Sequence, residues 1–232
     1  MPGEAAPSTW TDLRREPALR LAKGGPLPLD EPAYRLGTIR SSRYRATVTG
    51  SAHPPLLFLD VDGPLIPFGA TPQQHPNGYP TYPAPEPQGA SANPLLARIN
   101  PAHGPRLAAL PCDLVWATTW MADANEHIAP RIGLPQLAVV IWPESSDQEE
   151  QDERDGLHWK TRALVDWAGG RSFTWVDDEI TDTDRAWVSA HHPGDALLHR
   201  VDPRLGLTES DFVTLDDWLR RTHQAPTSLG AS

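Results

Sequence analysis

Apolar residues in this chain occur mainly in short continuous runs, and each run is followed directly by polar or turn-forming residues. Runs that lack an alternation of apolar and polar positions are typical of strands that are covered on both faces. We predict five strands from them: Leu56–Asp60, Asp113–Thr118, Leu137–Trp142, Ser172–Val176 and a weaker one at Ala196–Val201.

Segments with helical character lie between these runs. Helices are predicted at about 94–110, with breaks at its prolines, at Met121–Ile132, at Trp159–Ala168 and at about 208–221. Gly169-Gly170 is a glycine stop for the third helix, and Thr208 with Asp211 resembles a capping box for the fourth. Strands that alternate with helices predict an α/β fold, in which a Rossmann-like parallel sheet has helices on both faces.

The regular pattern is confined to the middle of the chain. We expect a basic, Pro/Ala-rich extension at 1–53, a folded core at 54–222 and a frayed tail at 223–232. Within the core, the proline-rich residues 67–94 predict a long loop that can act as a small lid. The seven carboxylates of Glu144–Asp155 predict a second, solvated loop.

Composition limits the functions that this chain can have. Its 232 residues, of which 39% are hydrophobic and 26 are proline, are sufficient for one sizeable domain. The net charge of −10 is unevenly distributed, because residues 1–50 carry +3 and the remainder carries −13. Such a surface disfavours broad, non-specific binding to nucleic acid, although a small basic patch could still hold the end of a strand.

Two features indicate the cellular compartment. Cys112 is the only cysteine, so an internal disulfide is excluded, and its place before an apolar run is typical of a buried small hydrophobe. The sequence contains no signal-peptide pattern and no run of about 20 apolar residues that would span a bilayer. We therefore expect a cytoplasmic protein without a membrane partner.

Two carboxylates at the end of the first predicted strand are the main candidate for chemistry. Asp60 and Asp62 are two positions apart, so on an extended segment both side chains can face one cleft. Carboxylates placed together repel each other and lose hydration, and a divalent cation such as Mg²⁺ compensates for both effects. A polar turn ending at Gly63 is the structural alternative.

Polar residues also follow the second and fourth predicted strands, where Thr118-Thr119 and Asp177-Asp178 stand. The carboxyl ends of parallel strands meet at one edge of a sheet, so we expect these residues to lie close to Asp60 and Asp62. Lys160 is one of only two lysines in the chain, which makes an incidental surface lysine less expected at that position.

Four segments, in order, resemble the motifs of the haloacid dehalogenase (HAD) superfamily of phosphohydrolases. FLDVDGPL resembles the first motif, VWATTW the second, HWK the third and FTWVDD the fourth, and the resemblance covers residues 56–221. A lone Thr or Lys is a weak signal, so the order and spacing of all four motifs carry the resemblance. More narrowly, DVDGPL, VWATTW and the later VDP and GLT segments resemble the HAD-like domain of "Swiss Army Knife" RNA-repair proteins.

The resemblance implies a reaction through an aspartyl-phosphate intermediate, which divides one difficult step into two easier ones. Asp60 would attack phosphorus, and Asp62 would act as the general acid and then as the general base. Thr118 would hydrogen-bond the phosphoryl oxygens, and Lys160 would neutralise charge on the nucleophile and the transferring group.

The resemblance also implies the ligands of Mg²⁺. Asp60, Asp177 and the main-chain carbonyl of Asp62 would hold the ion, and Asp178 would bind it directly or through another ligand. Asp182 stays an alternative partner for Asp177, although a loop carboxylate is the more ordinary interpretation. The histidines show no zinc-binding spacing, so we treat them as non-ligands.

Gly63, Thr119 and Trp120 are the predicted substrate-binding residues, and the Trp120 ring could stack on a base. Structural alternatives are open for several positions. Thr118 and Thr119 could cap the following helix, and either could be the phosphate-binding residue. Lys160 could be a solvent-exposed lysine, and Asp177-Asp178 a polar turn.

We therefore predict a Mg²⁺-dependent phosphomonoester hydrolase whose HAD-like core has a minimal cap or none. An open cleft favours a large substrate, such as a nucleic-acid end, a protein phosphosite or a partner-bound group. The resemblance to RNA-repair proteins favours a terminal phosphate of RNA or DNA, whereas the acidic charge favours a nucleotide or another small phosphoester. The rival prediction is a non-catalytic module that binds a partner through residues 1–50 or 67–94.

Overall fold

The computed structural model describes residues 53–83, 93–143 and 147–224. Residues 1–52 of the expected extension at 1–53, residues 84–92 of the expected lid and residues 225–232 of the expected tail at 223–232 lie outside the described residues. Within the described ranges, five parallel strands form one sheet: β1 (Leu56–Leu59), β2 (Asp113–Trp116), β3 (Ala138–Val139), β4 (Phe173–Asp177) and β5 (Ala196–Arg200).

The order of strands across the sheet is β3-β2-β1-β4-β5. The chain builds outward from β1 through β2 to β3, and then returns to the other side of β1 to add β4 and β5. The direction of winding therefore reverses between β1 and β4. Open α/β sheets bind their ligands at such a reversal, beyond the carboxyl ends of the strands.

The continuous apolar run of β1 is explained by two cores, one on each face of the sheet. Leu57 and Leu59 pack in the first core, and Leu56 and Phe58 pack in the second. All four side chains are fully buried. A strand that is covered on both faces has no solvent side, so no polar residue interrupts it.

Seven helices flank the sheet in the described residues: α1 (His103–Ala108), α2 (Asp123–His127), α3 (Ala129–Ile132), α4 (Asp147–Arg154), α5 (Lys160–Ala168), α6 (Asp182–His191) and α7 (Glu209–Gln224). Side chains from α1, α2, α3 and α7 belong to the first core, and side chains from α5 and α6 belong to the second. This arrangement confirms the predicted parallel α/β fold. None of these helices combines the length and the apolar character that a membrane span requires.

Several predicted boundaries are confirmed. Helix α5 ends at Gly169, which has a φ of +58° and is therefore left-handed. Helix α7 follows Thr208, whose main-chain N–H and hydroxyl both donate to Asp211. The predicted helix at 94–110 is broken as expected and consists of a 3₁₀ turn at Pro94–Arg98 followed by α1.

The acidic segment was predicted to be a loop, and this prediction is wrong for its described part. Residues 147–154 form α4. Asp152 is buried and accepts two hydrogen bonds from Arg162 of α5, at 2.5 and 2.8 Å. This ion pair holds α4 against α5. Arg162 lies ten residues after Asp152 in a different element, so the local density of acidic residues did not reveal the pair.

Two further elements differ from their predicted lengths. The strand predicted at Leu137–Trp142 pairs only over Ala138–Val139, because it lies at the edge of the sheet and Ile141 is 69% exposed. The single helix predicted at Met121–Ile132 is divided into α2 and α3. Pro130 has no N–H to donate to the preceding turn, so the division falls beside it.

The described part of the segment between β1 and β2 contains only the 3₁₀ turn and α1 as regular elements. Residues 67–83 are irregular, as predicted, and they pack against the 3₁₀ turn. The N–H of Tyr82 donates to the carbonyl of Ala97, and the Arg98 guanidinium lies 4.4 Å from the centroid of the Tyr79 ring. The described residues here therefore contain no cap domain.

Candidate active site

The ends of β1 and β4 bring two carboxylates to the reversal point of the sheet. Leu59 pairs with Val176, so Asp60 and Asp177 are the next residues on adjacent strands. Lys160 Nζ donates to Asp60 Oδ2 at 2.7 Å and to Asp177 Oδ2 at 2.8 Å. The Lys160 side chain is only 3% exposed, which excludes the alternative of a solvent-exposed lysine.

Lys160 is the first residue of α5, and the residues before it hold the start of this helix in place. The main-chain N–H of Lys160 donates to His158 Nδ1 at 3.1 Å. His158 Nε2 is then the protonated nitrogen, and it donates to Glu179 at 3.0 Å. His158 therefore connects the start of α5 to the loop after β4. The sequence analysis considered the histidines only as metal ligands and did not predict this role.

The charges of this centre are not balanced by Lys160 alone. Burial raises the pKa of Asp60 well above its usual range; Lys160 opposes this rise, whereas Asp177 and Asp62 add to it. Burial also works to raise the pKa of Asp177, but the charge and the hydrogen bond of Lys160 lower it by more. Burial works to lower the pKa of Lys160, and Asp177 and Asp60 raise it above its usual value, so the ammonium stays protonated.

Oxygen atoms of Asp60, Asp177 and Asp178 lie within 4.8 Å of one another. Burial, with the neighbouring Asp177 and Glu179, raises the pKa of Asp178 to about 7. A raised pKa at a carboxylate means that nearby negative charge and lost hydration are incompletely compensated. An all-oxygen set with excess negative charge is what Mg²⁺ requires, so the residues fit this ion.

Gly63 lies directly against Asp178. It has a φ of +84°, and a Cβ at this position would lie 2.4 Å from Oδ1 of Asp178. The N–H of Gly63 donates to the carbonyl of Ile66, which closes a tight turn after β1. Glycine is therefore required here both for its backbone conformation and for the close approach of a carboxylate.

Asp62 lies in the same turn and is oriented by an indole. Trp120 Nε1 donates to Asp62 Oδ2 at 3.0 Å. Burial raises the pKa of Asp62, and the hydrogen bond from Trp120 opposes this rise. The structure thus places Trp120 as a hydrogen-bond donor to the predicted acid–base residue, whereas the stacking of its ring on a base stays a prediction.

The loop after β2 separates the two threonines. Thr118 is fully buried, and its hydroxyl oxygen accepts a hydrogen bond from the N–H of Trp120 at 3.3 Å. The carbonyl of Thr118 accepts from Trp142 Nε1 at 3.0 Å. Thr119 is exposed. Neither threonine caps α2, since the N-cap residue of that helix is Ala122, so the helix-cap alternative is wrong.

Asp182 was interpreted as a loop carboxylate, and this interpretation is wrong because Asp182 belongs to α6, as does Asp184. Asp182 is exposed and is not among the carboxylates that could share a metal with Asp177. Asp184 is fully buried and accepts from Thr181 and from the N–H of His158. The Thr181–Asp184 spacing is a capping-box pattern that could have indicated this helix start.

A second group, His158, Asp177 and Glu179, also has ligand atoms within 4.8 Å of one another. Both imidazole nitrogens of His158 already make hydrogen bonds, to the N–H of Lys160 and to Glu179. A metal at this position would have to break one of them. The group formed by Asp60, Asp177 and Asp178 is therefore the better candidate.

Cys112 stands at the start of β2, whereas Thr118 follows its end, so the thiol lies at the opposite edge of the sheet. It is partly buried and packs against the first core. Burial and the neighbouring Asp113 raise the pKa of this thiol to about 12. The thiol is therefore protonated and apolar in character, which agrees with the sequence interpretation.

Comparison with known protein families identifies a family that covers most of the described core. Residues 56–212 match the family described as the HAD domain in Swiss Army Knife RNA repair proteins. The matched residues run from β1 into α7 and include all four predicted motifs. No curated protein and no solved structure matches the chain.

Proposed function

This chain belongs to the family of HAD domains in Swiss Army Knife RNA repair proteins, and we propose that it is a Mg²⁺-dependent phosphohydrolase acting on a phosphomonoester. One observation supports this proposal above the others. Lys160 hydrogen-bonds both Asp60 and Asp177 at the reversal point of the sheet, and Asp178 lies beside them. Phosphohydrolase activity is typical of HAD proteins.

The roles of the residues follow from their surroundings. Asp60 is the proposed nucleophile, because its carboxylate lies at the strand end where a ligand would enter. Lys160 neutralises charge on that carboxylate and on the phosphoryl group. Asp62 has a raised pKa, which suits a group that first gives a proton to the leaving oxygen and then takes one from water.

Mg²⁺ would be held by Asp60, Asp177 and Asp178, together with the main-chain carbonyl of Asp62. When bound, the ion supplies positive charge that stabilises the phosphoryl oxygens in the transition state. The Thr118 hydroxyl is the proposed donor to a phosphoryl oxygen. Its own oxygen accepts from the N–H of Trp120, so its proton is available for a substrate.

The proposed substrate is a terminal phosphate of RNA or DNA, or a nucleotide. The family description, which names RNA repair proteins, favours the nucleic-acid end. The short described segment between β1 and β2 also favours it, because a site without a cap domain leaves room for a long substrate.

Turnover of para-nitrophenyl phosphate in the presence of Mg²⁺ tests the activity. We expect hydrolysis by the wild type, loss of it with EDTA, and background rates for Asp60→Asn. Asp182→Asn removes the same charge from an exposed position outside the centre, so it serves as the matched control and retains activity. Equal rates for wild type and Asp60→Asn would refute the nucleophile, and a binding module would show no turnover at all.

A panel of 3′- and 5′-phosphorylated oligonucleotides and mononucleotides then identifies the substrate.

A further inference from the structure

A groove of about 610 Å³ opens at the carboxyl edge of the sheet. It is lined by Phe68 and Gly69 from the loop after β1, and by residues 200–204 at the end of β5. The N–H of Phe68 donates to the carbonyl of Pro203 at 2.8 Å, which joins the two loops. Since β4 lies between β1 and β5, the joined loops pass over the end of β4.

Arg200 connects this groove to the catalytic centre. It is the last residue of β5 and pairs in register with Asp177. Its Nε donates to the carbonyl of Asp178 at 2.8 Å. Adjacent strands lie about 4.8 Å apart. Arg200 is therefore one strand away from the carboxylates that we expect to hold Mg²⁺.

The lining residues of the groove carry a net charge of +1, from Arg200, Arg204 and Asp202. Arg204 donates to both oxygens of Asp202, at 2.9 and 2.6 Å, so these two residues neutralise each other. Arg200 is exposed, and its guanidinium forms no ion pair with any carboxylate of the described residues. Its two terminal nitrogens stay available for a ligand, because only Nε is used for Asp178.

We propose that Arg200 forms an anion subsite for a second phosphate of the substrate, beside the phosphate that is hydrolysed. A guanidinium binds phosphate through two parallel N–H bonds, which two available terminal nitrogens can provide. The inference rests on the proposed function, because the reacting phosphate is assigned to Asp60. The second phosphate can belong to a nucleoside bisphosphate or to the next nucleotide of a strand end.

The hydrogen bond from Arg200 to Asp178 allows a purely structural role, namely support for the loop after β4. The two roles differ in the substrates that they affect. A support for the Asp178 loop acts on every substrate alike, whereas an anion subsite acts only on substrates that carry a second phosphate.

The kinetic experiment compares kcat/KM for para-nitrophenyl phosphate, adenosine 5′-monophosphate, adenosine 3′,5′-bisphosphate and a 5′-phosphorylated dinucleotide. For Arg200→Gln we expect kcat/KM to fall about tenfold more, equivalent to about 1.4 kcal/mol, on the last two substrates than on the first two. Arg200→Lys retains the charge and should lose less. Arg220→Gln removes an exposed arginine of α7 and is the matched control without a substrate-dependent effect.

Equal losses on all four substrates would overturn the subsite in favour of the structural role, and unchanged rates on all four would overturn it as well. A loss confined to the bisphosphate identifies a nucleotide, and a loss confined to the dinucleotide identifies a strand end. Both of these results support the subsite.

A binding measurement separates failure of the subsite from failure of the proposed function. Fluorescence anisotropy of a labelled 5′-phosphorylated trinucleotide is measured with Asp60→Asn protein, with and without Arg200→Gln. We expect Kd to rise about tenfold and the salt dependence to fall by about one phosphate contact. Equal Kd values would overturn the subsite. Absence of para-nitrophenyl phosphate turnover would refute only the proposed activity.

Discussion

The ammonium nitrogen of Lys160 lies 2.7 Å from Oδ2 of Asp60, and the side chains are only 3% and 11% exposed. The same nitrogen also contacts Asp177, so one cation is shared by carboxylates from two strands. Removing one partner from a buried ion pair leaves the other charge uncompensated, which is more costly than losing an exposed pair. Lys160 should therefore contribute to stability as well as to activity.

Lys160→Met removes this ammonium and keeps an unbranched side chain of similar size. In EDTA, we expect the free energy of unfolding to fall by about 3–5 kcal/mol, measured by urea denaturation. We expect kcat to fall by about 10²–10³-fold, which is the usual effect of removing one preorganised hydrogen-bond donor that stabilises transition-state charge. Arg220→Met breaks an exposed pair with Asp216 and should cost less than about 1 kcal/mol. Equal costs for the two variants would contradict a buried structural role of Lys160.

Gly63→Ala should damage the metal centre through a steric contact. The new Cβ would lie 2.4 Å from Oδ1 of Asp178, and the φ of +84° would add about 1–2 kcal/mol of backbone strain. We expect weaker Mg²⁺ binding in isothermal titration calorimetry and reduced stability. Gly78→Ala has a similar φ of +74° but no atom within 4 Å of its Cβ, so it should change stability alone. Unchanged Mg²⁺ affinity in Gly63→Ala would show that Asp178 is not needed for the ion.

Mg²⁺ should raise the melting temperature of the wild type. At a concentration of about 100 times Kd, a ligand of the folded state adds about 2.7 kcal/mol of stability. In Asp177→Asn we expect this shift to disappear, and the metal-free variant should also be less stable, because the buried Lys160 ammonium loses one of its two carboxylate partners. Asp182→Asn should keep the shift. A full shift in Asp177→Asn, measured by differential scanning fluorimetry, would exclude Asp177 as a ligand.

Asp211 should make stability depend on pH. It accepts from the N–H and hydroxyl of Thr208 at 2.7 and 2.6 Å, and it pairs with His199 at 2.8 Å. Burial works to raise the pKa of Asp211, but the Thr208 and His199 hydrogen bonds lower it below its usual value. The stabilisation is therefore complete above the unfolded pKa of about 3.9 and is lost as the pH falls through the lower folded pKa.

Asp211→Ala should accordingly lower the free energy of unfolding by about 1 kcal/mol at neutral pH, the usual value of a helix cap, and by less in acid. Chemical denaturation at pH 7 and at pH 3 measures both values. Asp217→Ala, at an exposed position of the same helix, should have little effect at either pH. A loss for Asp211→Ala that does not depend on pH would contradict the assigned role of its carboxylate.

Local sequence patterns were sufficient to predict features whose interacting residues lie within a few positions of one another in the chain. The apolar run before Asp60, the glycine stop at Gly169 and the cap formed by Thr208 all operate over one turn or one strand, so each was predicted correctly. The convergence of Asp60 and Asp177 was also predictable, because parallel strands place their carboxyl ends at one edge. Lys160 begins a helix, and only the resemblance to the HAD motifs placed it with them.

Other features depended on partners that are distant in sequence. Helix α4 is held in place by the contact of Asp152 with Arg162. Strand β3 is shorter than predicted because it lies at the edge of the sheet. Trp120 reaches Asp62 across 58 positions of the chain, and Asp184 reaches His158 across 26. Residue propensities and spacings within one segment cannot predict contacts of this kind.

The sequence by itself therefore determined the class of fold and the meeting of the carboxylates that follow β1 and end β4, since both follow from hydrophobic pattern and strand direction. Only the tertiary structure decided that Thr118 rather than Thr119 is buried, that Asp178 rather than Asp182 lies beside Asp177, and that Arg200 faces a groove. The physical reason is that burial and ligand geometry depend on which segments pack together, and packing is a property of the whole chain.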